Sequence, residues 1–196
     1  FKDKSETLSD ILFKSIKNKF KLARLHGSRD YFQTKVGKFT IEIVPILDIK
    51  KASEAKNITD VSQLHVNYVK KYKKLANEIR LAKLFCKSLE VYGAESYIQG
   101  FSGYAMEVLT IHYKGFRNLL KNVAQWKSRT VIDTEKHHTK KVQLNEAKML
   151  SPLILVDPVQ ASRNVTAVVS QEKYALFRKK AKEYLKNPRR EMFFKK

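Results

Sequence analysis

The chain of 196 residues contains one cysteine, four prolines, six glycines and one tryptophan. A single cysteine cannot form an intrachain disulfide, so the composition is typical of a protein of the reducing cytoplasm. No apolar run approaches the roughly 18 residues that a membrane-spanning helix needs. The first residue is Phe1 rather than Met, and we expect the chain to be a fragment or to lack its start.

Acidic residues are also scarce. Forty Lys and Arg residues stand against 19 Asp and Glu residues, which gives a formal charge of +21 at pH 7. A surplus of this size predicts attraction to a polyanion, usually nucleic acid. An anionic membrane surface is the competing partner, but we expect nucleic acid and no membrane. The 43% of hydrophobic residues suffices for the cores of one or two domains.

One stretch, residues 92–116 (YGAESYIQGFSGYAMEVLTIHYKGF), holds four of the six glycines. The alternation in residues 94–99 predicts a short strand, and the GFSG that follows predicts a tight turn. Ser102 stands where it would cap the N-terminus of a helix. Apolar residues then recur at helical spacing until Gly115, so the stretch predicts a strand, a glycine turn and a helix.

The rest of the chain alternates between helical and strand patterns. Apolar spacing predicts four helices. The first covers residues 5–25, and the second starts at 65 and ends before Gly93, which is predicted to be its C-terminal cap. The third covers 115–127 with Trp126 inward, and the fourth follows the cap Ser170. Strands are predicted at 39–43, 130–133, 152–157 and 165–169. The lysine-rich segment 134–150 predicts an exposed loop, and its adjacent histidines lack the spacing of a zinc site.

A polymerase-type nucleotidyl site is not encoded in this chain. Gly27–Ser28 resembles the turn that opens such a site, but no Asp-x-Asp pair follows it, and Asp30 has no partner at that spacing. Two such carboxylates are needed to hold Mg²⁺ against a triphosphate. From the residues alone, Glu42 is therefore a solvated carboxylate on a half-exposed strand.

Five blocks, in order and in spacing, resemble the central domain of the archaeal-type CCA-adding enzymes, the tRNA nucleotidyltransferases. They are IEIVP at 41–45, TDVSQLHVNYV at 59–69, the glycine stretch, SRTVID at 128–133 and VDPVQASRNV at 156–165. The resemblance covers roughly residues 30–190. It implies an α+β fold in which residues 1–60 are the C-terminal part of a nucleotidyltransferase head domain. Residues 61–196 would then form a mixed helix and sheet central domain that binds nucleotide and tRNA.

The resemblance also implies an activity, the template-independent addition of CCA to tRNA 3′ ends from CTP and ATP with Mg²⁺. The implied partners are the tRNA 3′ end, both nucleotides, and the missing head and tail portions of the same enzyme. Because the paired carboxylates are absent, we expect the chain alone to be inactive. The alternatives are a non-catalytic basic RNA-binding protein and the second half of a split nucleotidyltransferase.

Family motifs that contact the triphosphate fall on four residues of this sequence. A Thr/Ser-Pro-x-His-x-x-Tyr motif places its polar donors on Ser62 and His65, and the family's phosphate-binding Lys and Tyr fall on Lys83 and Tyr92. An ammonium group, hydroxyls and an imidazole are suitable donors for phosphate oxygens. Without the resemblance, His65 would be interpreted as a cap or a core contact.

The sequence departs from the family pattern in the Thr/Ser-Pro-x-His-x-x-Tyr motif and at the third carboxylate of the family, which is normally an Asp. Val61 and Gln63 stand where the family has Arg and Pro, which removes one phosphate contact and a rigid turn. Glu42 stands where the family has Asp, and the resemblance gives it a metal-binding or base role with a longer reach.

The family's nucleobase-reading Arg falls on Arg163, and Asp157 would help to hold that region. A guanidinium presents several donors in one plane and can meet the acceptor edge shared by cytosine and adenine. Without the resemblance, Arg163 would be an Arg in a turn that pairs with Asp157. Nine Lys and Arg residues between 177 and 196 suit contact with the tRNA backbone, a solvated tail being the open alternative.

Overall fold

The computed structural model describes Phe1 and residues 7–194, and in that part of the chain six α-helices and two three-stranded sheets form a mixed α+β fold. The predicted α+β class is confirmed. The backbone divides into two compact units, Phe1–Asn67 and Tyr68–Lys196. Residues 5–6 of the first predicted helix and the last two lysines of the basic tail lie outside the described residues.

The first unit contains helix α1 (Leu8–Ile16) and an antiparallel sheet of β1 (Ala23–Leu25), β2 (Tyr31–Val36) and β3 (Phe39–Ile43). The strand predicted at 39–43 is confirmed. The helix predicted over 5–25 is wrong beyond Ile16, because residues 23–25 pair with β2 instead. Phe20, which helical spacing placed in the core, is 42% exposed.

Asp60 organises the connection from this sheet to helix α2 (Ser62–Lys70). Its carboxylate is fully buried and accepts hydrogen bonds from the Arg29 guanidinium and from the backbone N–H groups of Leu47, Lys56 and Asn57. Burial acts to raise the pKa of Asp60, but these hydrogen bonds outweigh it and hold the pKa below its ordinary value. The start of α2 is thereby fixed by one ionised carboxylate.

The second unit packs four helices around an aromatic core: α3 (Ala76–Ser88), α4 (Gly103–His112), α5 (Phe116–Val123) and α6 (Gln171–Lys186). Phe85 contacts the rings of Phe116 and Phe177 at centroid distances of 5.7 and 6.4 Å. Trp126 stacks on Tyr174 at 5.4 Å and is buried, so its predicted place in the core is confirmed.

A second sheet lies in the same unit. Strand β4 (Thr130–Asp133) runs parallel to β5 (Leu153–Asp157), which pairs antiparallel with β6 (Gln160–Asn164). Every residue of β5 is buried. The long connection between β4 and β5 is a loop with one 3₁₀ turn, as its composition indicated. Parallel pairing explains its length, because parallel strands cannot be joined by a tight hairpin.

Two predicted strands in this unit are turns. Residues 94–99 fold back locally, with Gly100 N–H donating to the Gly93 carbonyl at 2.8 Å. Residues 165–168 also form a turn, which Thr166 fixes by donating its hydroxyl to the Leu153 carbonyl at 2.6 Å. Residues 94–99 alternate in polarity and residues 165–169 are rich in β-branched side chains, but among these described residues only Val165 forms a backbone hydrogen bond to β5, its N–H donating to the Leu155 carbonyl at 2.8 Å.

The end of α3 also differs from the expectation. The helix ends at Ser88, and the left-handed residue that follows is Glu90, at φ 57°, rather than Gly93. Gly93 instead adopts φ 131° within the next turn. The described residues include no helix with the length and apolar character to span a membrane.

Candidate functional site

Helix α4 begins where the glycine stretch predicted it. The Ser102 hydroxyl accepts a hydrogen bond from Ala105 N–H at 3.0 Å, which confirms the predicted cap. A Cβ atom at Gly103 would lie 2.7 Å from the Tyr92 hydroxyl and 3.7 Å from Lys83 Nζ. The structure therefore brings together Lys83 and Tyr92, two of the predicted triphosphate ligands, over the first turn of α4.

Lys83 has a partner that the sequence did not reveal. Its ammonium group on α3 lies 2.6 Å from Glu107 Oε1 on α4, and the two side chains are 28% and 24% exposed. Glu107 stands one turn after Gly103, so the carboxylate follows the predicted ligands along one face of the helix. The ammonium group is thus already neutralised at the position where an anion would contact it.

Asp157 forms a second polar cluster at the end of β5. Its side chain is fully buried, and one oxygen accepts from Val159 N–H at 2.9 Å and from the Tyr104 hydroxyl at 3.2 Å. The other oxygen accepts from Arg163 Nη1 at 2.9 Å. Arg163 keeps 29% of its side chain exposed, so a buried carboxylate holds a guanidinium that still reaches solvent.

Tyr104 joins the two clusters, because it follows Gly103 directly in α4. Burial raises the pKa of its hydroxyl far above the ordinary value, and the charge of Asp157 raises it further. The hydroxyl therefore stays protonated and donates to Asp157. The first two turns of α4 thus carry contacts to Lys83 and Tyr92 through Gly103 and Glu107, and to Asp157 through Tyr104.

The turn that carries Arg163 is supported by the loop between β4 and β5. His137 Nε2 lies 2.9 Å from the Pro158 carbonyl, and His138 Nε2 lies 3.1 Å from the Ala161 carbonyl. A carbonyl only accepts, so each ring must carry a proton at Nε2. Lys148 Nζ adds a hydrogen bond to the Ser162 carbonyl at 2.7 Å. Sequence reasoning missed these contacts, since a polar lysine-rich loop gives no signal of which carbonyls it meets.

The remaining predicted triphosphate ligands lie on α2, in the first unit. Ser62 is exposed at the first position of the helix, and His65 is half-buried one turn later, so both lie on one helical face. Tyr68, the last residue of the same motif, is buried in the second unit, where its hydroxyl donates to Glu135 Oε1 at 2.8 Å. The Tyr of this motif therefore has a structural partner.

Glu42 lies exposed on β3 and accepts a hydrogen bond across the sheet from Gln33 Nε2 at 2.8 Å. Within Phe1 and residues 7–194, no three His, Cys, Asp or Glu side chains gather where they could hold a metal ion. Across the sheet Glu42 faces an amide rather than a second carboxylate, which does not match the two-carboxylate Mg²⁺ centre that the resemblance implies for the complete enzyme.

Comparison with known proteins points to one family. A family model described as "tRNA nucleotidyltransferase, second domain" matches residues 77–194. The chain is 51% identical over 169 residues to the CCA-adding enzyme of Nanoarchaeum equitans, a match that covers 84% of this chain and 43% of that enzyme. It is 38% identical over 173 residues to the CCA-adding enzyme of Saccharolobus solfataricus, covering 86% and 40%. The chain spans about two fifths of the length of these relatives.

A solved structure shares the fold at much lower sequence similarity. It is described as "Structural Basis for the Activity of a Cytoplasmic RNA Terminal U-transferase" and is similar to this chain at a TM-score of 0.66 with 13% identity. The match covers 99% of this chain and 78% of that one. At this identity the similarity concerns the fold alone.

Proposed function

The chain belongs to the tRNA nucleotidyltransferase family by its second domain and is a homologue of the archaeal CCA-adding enzymes, and on that premise we propose its role. It is part of an enzyme that adds CCA to tRNA 3′ ends from CTP and ATP without a nucleic-acid template. Within that enzyme this chain recognises the triphosphate and the nucleobase.

One observation carries the proposal, the attachment of two polar clusters to the first two turns of α4. Lys83 and Tyr92 lie at Gly103, while Asp157 and its partner Arg163 are connected through Tyr104. A cationic group and a hydroxyl suit a triphosphate, and an oriented guanidinium suits the acceptor edge of a base. Both kinds of donor are therefore anchored, directly or through Asp157, to residues of one helix.

At the phosphate end, binding is an exchange of partners. Lys83 is paired with Glu107 at 2.6 Å before any ligand arrives. An incoming triphosphate carries more charge than one carboxylate and offers several acceptor oxygens, so it competes for the same ammonium group. Tyr92 adds a neutral hydroxyl beside it.

At the base end, the orientation of the Arg163 guanidinium selects the nucleobase. Asp157 is fully buried and accepts a hydrogen bond from Arg163 Nη1, which orients the guanidinium, while 29% of the Arg163 side chain reaches solvent. Donors fixed in one plane favour cytosine and adenine over bases that present donors at the same place.

Ser62 and His65 are further proposed triphosphate ligands on the ground of the family motif alone, and Glu42 is the proposed third carboxylate, with a metal-binding or base role. Because the sequence lacks the Asp-x-Asp pair, the proposed contribution of this chain is recognition of nucleotide and tRNA. The tRNA 3′ end, CTP and ATP are its proposed partners, and cytoplasm its proposed location.

The test compares ligands that occupy different parts of the site. Calorimetry would measure binding of CTP, ATP, UTP, GTP and pyrophosphate to the parent chain and to the variants Lys83→Ala and Arg163→Ala. Loss of a charged hydrogen bond corresponds to about a tenfold or greater weakening. We expect Lys83→Ala to weaken pyrophosphate and nucleotides alike, and Arg163→Ala to weaken CTP and ATP but not pyrophosphate.

Arg117→Ala, which removes an exposed Arg of α5, is the matched control and should change none of these affinities. If Arg163→Ala weakened pyrophosphate as much as CTP, the guanidinium would be a general anion contact and the assignment to the base would be wrong. If the parent chain bound no nucleotide at all, the role in recognition would be wrong.

A specific observation fits the missing-portion and the split-enzyme interpretations equally. On the sheet of the first unit, Phe39 is 63%, Val36 47% and Ile41 41% exposed. Exposed apolar side chains clustered on neighbouring strands are typical of a surface that another part of a protein covers. The sheet therefore suits completion by further structure, on the same or on a separate polypeptide.

A further inference from the structure

The most exposed of the large hydrophobic side chains in the described part of the chain is Tyr97, at 84% exposure. It lies in the turn 94–99, between Gly93 and Gly100, the two glycines at which an added Cβ atom would come closest to neighbouring atoms. An exposed aromatic ring on a surface loop contributes nothing to the core and is accessible to a ligand.

The turn that presents Tyr97 is held at both ends. Gly100 N–H donates to the Gly93 carbonyl, and Gln99 N–H donates to the Glu95 carbonyl, both at 2.8 Å. The Gln99 carbonyl then accepts from Ser170 N–H at 2.9 Å, which ties the turn to the start of α6. The ring of Tyr97 therefore projects from a fixed backbone.

Beside Tyr97 lies an open groove of about 490 Å³. We name it the Tyr97 groove, and its lining consists of Lys87, Glu90, Tyr92, Tyr97, Ile98 and Lys173. A volume of this size accommodates a nucleotide. Two lysines and two tyrosines against one glutamate give a lining that is basic and aromatic, with a single aliphatic side chain.

The groove shares one residue with the candidate nucleotide site. The ring of Tyr92 lies under Lys87 Nζ, 5.0 Å from its centroid, while its hydroxyl faces the position of a Gly103 Cβ. Tyr92 therefore lines the groove and also contributes its hydroxyl to the candidate nucleotide site. Lys173, in the first turn of α6, supplies the second cation on the groove's lining.

We propose that the Tyr97 groove binds single-stranded RNA, with a base stacked on Tyr97 and the phosphates beside Lys87 and Lys173. Aromatic rings and lysines along one groove are the arrangement that single-stranded nucleic acid binds without regard to sequence. A membrane or an apolar helix would need a wider aliphatic surface than Ile98 provides. The inference rests on the proposed function only in its choice of RNA as the ligand.

The test uses the full chain and a labelled single-stranded oligocytidine, with fluorescence anisotropy as the measurement. We expect Tyr97→Ala to weaken binding about 5- to 100-fold, the range found when a stacked base loses its aromatic partner, and Tyr97→Phe to retain it. Lys87→Ala and Lys173→Ala should each make the plot of log affinity against log salt concentration less steep by about 0.7, since each variant removes one phosphate contact.

Two controls make the outcome decisive. Lys121→Ala removes an exposed lysine that does not line the groove. In that background, Tyr97→Ala should weaken binding of the single strand by the same factor as in the parent. A hairpin duplex of the same length should bind parent and Tyr97→Ala equally, because its bases are already stacked. Equal affinity of parent and Tyr97→Ala for the single strand would overturn the proposal, as would an equal loss of duplex binding.

The result is separable from that of the proposed function. Binding of CTP and pyrophosphate is measured on the same samples and should be unchanged in Tyr97→Ala, whose side chain is not among the nucleotide ligands. If the parent bound no CTP while Tyr97→Ala still lost RNA, the function assigned to α4 would fail and the groove would stand.

Discussion

At the scale of single residues, the contact between Lys83 and Glu107 determines how an anion enters the candidate site. The two charged groups lie 2.6 Å apart on neighbouring helices, and about a quarter of each side chain reaches solvent. A ligand therefore meets an ammonium group that is already paired with a carboxylate, rather than a free cation. The negative charge of that carboxylate opposes the approach of any anion.

The first prediction follows from this competition. Replacing Glu107 with Gln removes the charge that opposes the ligand, and we expect pyrophosphate and CTP to bind roughly tenfold more tightly, about 1.4 kcal/mol. Calorimetry on the two proteins would measure the change.

Glu183→Gln offers a matched control, because Glu183 pairs with Lys180 at the same distance of 2.6 Å on α6. It should leave both affinities unchanged. Weaker binding by Glu107→Gln would show the opposite role, in which the carboxylate orients Lys83 for the ligand.

At the scale of elements, α4 is the part of the site that the sequence predicted best. Its cap Ser102, its first residue Gly103 and its buried apolar face all follow from local spacing. A Cβ atom at Gly103 would come within 2.7 Å of the Tyr92 hydroxyl, closer than an ordinary contact.

A second prediction uses that close approach. In Gly103→Ala the added methyl group displaces only the end of the Tyr92 side chain, so the free energy of unfolding should change by less than about 1 kcal/mol. Nucleotide affinity should fall roughly tenfold, since a hydrogen bond of the tyrosine would be lost or distorted.

A double-mutant cycle with Tyr92→Phe identifies the cause. Once the hydroxyl is absent, Gly103→Ala should produce little further loss of affinity. Fully additive losses would mean that the methyl group acts on some other contact.

Elements that the sequence did not predict depend on distant partners. Helical spacing continues past Ile16, but the pairing of residues 23–25 with β2 prevails over it. The alternating segment 94–99 and the valine-rich segment 165–169 match strand patterns, yet only a partner strand can make them strands. The ion pair of Glu107 is likewise invisible in sequence, because it depends on how α3 packs on α4.

At the scale of the whole molecule, net charge and missing carboxylates act together. The charge of +21 favours attraction to tRNA, and the sequence contains no Asp-x-Asp pair after Gly27–Ser28. The five blocks in order predicted the family, which the comparisons confirm. Composition alone would have indicated only a basic protein that binds nucleic acid.

The third prediction concerns activity. This chain alone should incorporate no CMP into a tRNA that ends at the discriminator base, although it should bind that tRNA in a salt-dependent manner. Adding a polypeptide that carries the Gly-Ser turn and an Asp-x-Asp pair should restore incorporation, measured with labelled CTP.

Incorporation by the chain alone would contradict the expectation that its recognition residues need carboxylates from elsewhere. The same mixture with Arg163→Ala is the control, and it should stay inactive even when the added polypeptide is present.

Gly103, Tyr104 and Glu107 lie within five residues of α4, about 6 Å along its axis at the usual rise per residue. The approach of Tyr92, the ion pair of Lys83 and the hydrogen bond to Asp157 therefore all depend on one short segment of helix. A distortion of that segment would displace all three contacts at once.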